Sequence, residues 1–253
     1  FFILPSAKKF GPTRRFDFVG FFSLSVFLAA LLVALSQGQR EGWHSDYILS
    51  CFTLCLLGLV VFIVSGFVVK DPIIDLRLFA NHNFMMAGII NFFRAMAVFG
   101  STFLLPLFLQ NLLGYKALST GIIFLPTAIS VAIISPISGF LSDRIGTRIP
   151  LVFGISFLTF SLYLYKDISL NSDYWFFFWP QVIKGIGIGM INAPLLSTAL
   201  NAVPRGQTSL ASGLYTVIMQ VGGACGVAML GTILQRREFF HYAHYLQQIN
   251  DSF

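Results

Sequence analysis

The sequence predicts an all-α membrane protein with seven transmembrane helices, and three observations carry that prediction. Apolar residues make up 56% of the chain and charged residues only 10%, with a mean hydropathy of +0.80, against roughly 25% charged residues in a soluble domain. Seven apolar stretches follow one another, each long enough to cross a hydrocarbon core of about 30 Å. Inside them stand only two charges, Arg94 and Lys184, and the other basic residues gather in the connections. The net charge of +6 is therefore topology information, and no nucleic-acid surface is implied.

The stretches are expected at 18–39, 47–69, 84–110, 119–141, 149–165, 175–200 and 209–234. Residues 1–16 read as the end of a preceding helix and a basic cytoplasmic loop with Lys8, Lys9, Arg14 and Arg15. The chain starts at Phe1 without a signal pattern, which reads as a fragment of a longer protein. The first two spans, within 17–70, are joined by a polar turn followed by Trp43, placed as an interfacial anchor. Residues 72–83 alternate apolar and charged positions, as in a short amphipathic helix at the interface. The tail 235–253 reads as an amphipathic segment on the outer surface. Its His241 and His244 lack a third ligand, and the three cysteines lie in apolar runs, so no metal site and no cofactor are expected. Nine basic loop residues fall on the presumed cytoplasmic side and five on the other (Arg40, Lys116, Lys166, Arg236 and Arg237), which sets the orientation by the positive-inside rule.

The most distinctive stretch is GFLSDRIGTR at 139–148. It reads as a tight cytoplasmic loop. Gly139 allows close helix approach, Asp143 is expected to accept from N–H groups at a helix start, Gly146 suits a turn with positive φ, and Arg144 and Arg148 anchor the loop on the positive side.

Arg94 and Lys184 each lie about 15 Å into a span at 1.5 Å per residue, where a charge costs on the order of 3 kcal/mol. Both are expected to face an aqueous cavity or a partner. Asn91 shares a helix face with Arg94, Gln181 and Asn192 share one with Lys184, and Gln220 sits at mid-depth in the seventh span, so these six are the candidate cavity lining. Pro126, Pro136 and Pro194 bend helices, and Gly185, Gly189, Gly222 and Gly226 provide small surfaces for packing or hinging. No Asp or Glu occurs within the seven spans. No catalytic constellation is visible either, so an enzyme is not expected.

The 139–148 loop resembles the G-x-L-[AS]-D-R-x-G-R-[RK] motif of the major facilitator superfamily through Gly139, Leu141, Ser142, Asp143, Arg144, Gly146 and Arg148, with Thr147 departing from it. Stretches 72–79, 106–126, 185–195 and 212–234 are similar, in the same order, to the fourteen-helix drug:proton antiporters of the EmrB/QacA type. The resemblance implies a partial fold of that superfamily: two extra central helices at 17–70, then a C-terminal bundle at 71–234 lacking its last helix. It also implies a proton-coupled multidrug efflux transporter in a cell membrane, the inner one in a Gram-negative bacterium. Its partners would be lipid, hydrophobic or amphipathic substrates, protons loaded in the missing N-terminal half, and a periplasmic adaptor in a two-membrane bacterium. The alternative is a non-transporting assembly subunit or inactive half-transporter.

Overall fold

The computed structural model describes residues 17–69, 76–170 and 172–250, and the described residues contain no strand. Seven long helices follow one another: α1 (Phe18–Glu41), α2 (Asp46–Val68), α3 (His82–Leu107), α4 (Ala117–Ile145), α5 (Arg148–Leu164), α6 (Tyr174–Asn201) and α7 (Thr208–Asn250). Each contains a segment long and apolar enough to cross a membrane. The expected end of a preceding helix at 1–16 lies outside the described residues.

Local chemistry sets the helix ends. Asp17 accepts from the Gly20 N–H at 2.7 Å and begins α1, Ser45 accepts from Ile48 to begin α2, and Asn81 accepts from Asn83 and Phe84 to begin α3. Gly42 and Gly146 take φ of +84° and +87° at the ends of α1 and α4, a region that costs glycine little. After Pro106 the last turn of α3 widens into a π-helical segment, Phe108–Leu112.

Two expectations are corrected. The amphipathic helix at 72–83 is, over its described part, a 3₁₀ turn at Leu76–Ala80. Leu78 is buried in the same apolar cluster as Phe84, Leu195 and Leu214, and the Asn81 Nδ2 donates to the Ala202 carbonyl at 2.8 Å; the segment is tucked under the ends of α3 and α6 because its apolar side chain finds protein there. The seventh helix does not stop at 234 but runs on to Asn250. No glycine or proline follows Gly231 before Asn250, so nothing in the backbone ends it. Side chains from residue 238 onward lie outside the described residues.

α6 is the central helix: half of its spanning window is buried, against 17–28% for the other six. It packs against α4 on one side and α5 on the other, and it also touches α3 and α7. α3 lies along α7, while α1 pairs with α2 and leans on α7. The outward faces are apolar, as Ile129, Ile133, Ile137 and Phe140 on α4 illustrate. A continuous greasy face is what lipid tolerates and water does not. Trp175 and Trp179 are exposed in the first turns of α6, as in an interfacial aromatic belt.

Candidate functional site

Two kinds of contact hold the helices around α6. The first is backbone approach at glycine. A Cβ on Gly185 would stand 2.5 Å from the Thr127 carbonyl oxygen of α4, one on Gly189 3.0 Å from Ile134, and one on Gly187 2.7 Å from the Leu158 nitrogen of α5. On α7, a Cβ at Gly222 or Gly226 would collide with the Phe92 or Met96 carbonyl of α3. Small residues at these crossings let the chains touch, which is how helices associate in lipid without a hydrophobic driving force.

The second kind is polar. The Arg94 guanidinium donates from Nη1 to Asn192 Oδ1 at 2.7 Å and from Nη2 to Asn91 Oδ1 at 2.9 Å, with Met219 Sδ at 3.6 Å. Asn91, fully buried, passes the connection on by donating to the Tyr215 carbonyl of α7 at 2.9 Å. Arg94, Asn91 and Asn192 thus form one cluster joining α3, α6 and α7. The Arg94 Nε is buried without a partner among the described residues.

Lys184, 2% exposed, donates to Thr102 Oγ1 of α3 at 3.1 Å. No carboxylate pairs with either cation among the described residues, where the one ion pair is Lys166–Asp167. Gln181, expected beside Lys184, is turned toward α4. Thr127 Oγ1 lies 2.7 Å from its Oε1 and 2.8 Å from its carbonyl, and its Nε2 has no partner among the described residues. Gln220 is not brought to the cluster: it is exposed and lines a groove of about 370 Å³ with Leu32, Ser36 and Phe99, between α1, α3 and α7.

One helix proline is served by a neighbour. Pro194 cannot donate to the Met190 carbonyl one turn back, and Ser138 of α4 donates to that carbonyl at 2.8 Å. Pro126 and Pro194 are buried, whereas Pro136 is exposed.

The 139–148 stretch is mostly helix. α4 continues through Ile145, leaving Gly146 and Thr147 as the turn before Arg148 begins α5. Gly139 faces Ala193 of α6 at 3.6 Å, counted from the Cβ it lacks, and Ser142 is buried. Leu141 is half-buried, and Arg148 is exposed. The Arg144 guanidinium lies over the Phe140 ring, 4.4 Å from its centre, an arrangement that favours the cation. Asp143 does not cap a helix start, contrary to expectation. It occupies the last turn of α4, where the unpaired backbone groups are carbonyls rather than N–H donors, and it is exposed.

The chain matches the Major Facilitator Superfamily over residues 6–227. It belongs to that superfamily. Among superfamily relatives, it is 30% identical over 229 residues to the uncharacterized MFS-type transporter YhcA of Bacillus subtilis, covering 90% of this chain and 43% of that protein. Fatty acid resistance protein FarB of Neisseria gonorrhoeae is 32% identical over 236 residues, 92% of this chain and 46% of FarB. Multidrug export protein EmrB of Escherichia coli is 28% identical over 241 residues, 94% of this chain and 47% of EmrB. The chain thus spans under half the length of these relatives. It is a multi-pass membrane chain of a transporter superfamily, as its helices and its relatives agree in indicating, and the family points away from an enzyme.

In this superfamily member, sequence reasoning missed the neutral partners Thr102, Thr127, Ser138 and Tyr215. Thr102 had a weak signal, lying eight residues beyond Arg94 and about 80° from it around α3 at 100° per residue. The Tyr215 carbonyl had none, because any backbone carbonyl can accept and only packing selects one.

Proposed function

We propose that this chain is the C-terminal part of a proton-coupled multidrug efflux transporter that exports hydrophobic or amphipathic compounds by alternating access. The observation that carries the reading is the Arg94–Asn91–Asn192 cluster, a charged group held between three helices near mid-depth of the bundle. A charge at that depth is costly and marks a functional path more often than a scaffold. The multidrug names among the relatives support the efflux reading. In this reading the proton-loading carboxylate belongs to the part of the transporter outside this chain, the 139–148 turn faces the cytoplasm, and α4, α5 and α6 move as one body on their glycine crossings while Pro126, Pro136 and Pro194 supply the bends. The transporter resides in a bacterial cell membrane, the inner one in a two-membrane cell, where a periplasmic adaptor would be its partner.

The test is export by the full-length transporter reconstituted in liposomes under an imposed pH gradient. Accumulation of a neutral fluorescent amphiphile that collapses on addition of a protonophore is the expected result. Gradient-independent behaviour would remove the proton coupling, and absence of any movement would favour the assembly-subunit alternative.

A further inference from the structure

The two cation contacts share one antiparallel register. Arg94 of α3 meets Asn192 of α6, and eight residues further along α3 Thr102 meets Lys184, eight residues back along α6. At 1.5 Å per residue the two rungs stand about 12 Å apart along the seam. They are complementary: α3 gives the cation at one rung and α6 gives it at the other. Midway between them the same register puts Val98 and Ile188, both partly buried against the central apolar cluster. The seam is therefore cation, apolar rung, cation.

Neither cation has a counter-charge among the described residues. Among the described residues, Arg94 donates to two amide oxygens and leaves Nε without a partner in the interior, and Lys184 has one hydroxyl partner for its three donors. Buried cations without acids are costly unless an anion arrives. Access exists at both rungs: Thr102 is exposed and Asn192 is half-buried.

We infer that the α3–α6 seam is a binding site for amphipathic anions, with Lys184 and Arg94 as two successive stations for a carboxylate or sulfonate head and Val98 and Ile188 as the apolar contact between them. At 12 Å the stations are too far apart for one small head group to touch both, so the head occupies one at a time while the tail lies along the apolar rung. The inference rests on the efflux reading above and sharpens it to a substrate class.

The test uses the full-length transporter in nanodiscs of zwitterionic lipid, with two probes of similar ring framework: anionic 8-anilinonaphthalene-1-sulfonate and neutral N-phenyl-1-naphthylamine. Arg94→Gln and Lys184→Gln are each expected to weaken binding of the sulfonate by about tenfold to a hundredfold, the loss of one charge-assisted hydrogen bond, and to leave the neutral probe unchanged. Arg94→Lys and Lys184→Arg are expected to retain most of the sulfonate affinity. Val98→Glu keeps both cations and places an acid between them. It should abolish sulfonate binding, which covers the case in which a Gln variant fails to fold. Sulfonate affinity unchanged in Val98→Glu and in the folded Gln variants overturns the inference. So does equal loss of both probes. Export of the neutral probe, measured separately, decides the efflux reading: its persistence alongside sulfonate binding that ignores these variants rejects the anion site and keeps efflux, whereas its absence rejects efflux while the binding data still judge the site.

Discussion

α3 contacts α7 and α6 through seams made of opposite materials. Toward α7, Gly222 and Gly226 bring backbone onto the Phe92 and Met96 carbonyls, with Gly100 of α3 approaching Gly226 in return. Toward α6, the contact is made by long side chains, Arg94 reaching Asn192 and Lys184 reaching Thr102. A backbone crossing has one well-packed arrangement, because a shift of even a methylene's width forces overlap or a void. A seam of flexible cations and hydroxyls can exchange partners at little steric cost. The first kind suits a rigid body and the second a place where ligand or conformation changes.

Substitutions sharpen or break that contrast. The largest effect is expected at Gly226→Val, whose side chain would drive into the Met96 carbonyl. The loss should reach about 3 kcal/mol, the upper end of overpacking costs, and appear as a large drop in thermal unfolding temperature in detergent. An unchanged unfolding temperature would show that α3 and α7 are free to separate. Next comes Arg94→Leu, which leaves the Asn91 and Asn192 amides without their donor. It should cost about 1–2 kcal/mol, the scale of interhelical polar contacts in membranes, yet reduce export by the full-length transporter far more than the stability loss explains. Wild-type export by both Arg94→Leu and Lys184→Leu would withdraw the two cations from the site.

Asp143→Asn tests a residue that belongs to neither seam. It is exposed in the last turn of α4, so stability should stay within about 0.5 kcal/mol while export falls several-fold at unchanged protein level; normal export would leave it a topology signal only. The smallest effect belongs to Gly121→Ala. Nothing lies within 4 Å of the position a Cβ would take there, and alanine should be neutral or stabilise α4 by up to about 1 kcal/mol. A marked loss at Gly121 would mean that a glycine's neighbours in this fold do not decide its cost.

Much of the architecture was legible in the sequence because lipid is a severe solvent. Each crossing segment must satisfy its backbone internally, so long apolar runs become helices wherever glycine, proline or charge does not interrupt them. All seven expected spans therefore lie within a few residues of the segments able to cross a membrane. Beyond its span α7 continues as helix to Asn250 because no breaker follows Gly231. The pairing of Asn91 with Arg94 was also readable, since residues three apart share a helix face. Which helix face meets which neighbour was not. Gln220 illustrates this: it stands about 200° round α7 from Gly222 at 100° per residue, so the turn that presents Gly222 to α3 sends Gln220 to the α1 side. Over its described part, the 72–83 segment turns Leu78 into the protein and leaves Phe79 and Ala80 exposed, a choice of neighbour that alternation alone does not indicate.

The sequence by itself determined the solvent, the helices, their approximate ends and the presence of two cations at depth in spans that carry no acid, since all of these depend on composition along one segment. Only the tertiary structure decided that Arg94 and Lys184 lie on one α3–α6 seam in a shared register, that Ser138 serves the carbonyl Pro194 leaves free, and that Gln181 turns to α4. Those outcomes depend on the rotation of each helix about its own axis. That rotation is fixed jointly by the glycine crossings of α6 with α4 and α5 and of α7 with α3, and no single segment encodes it.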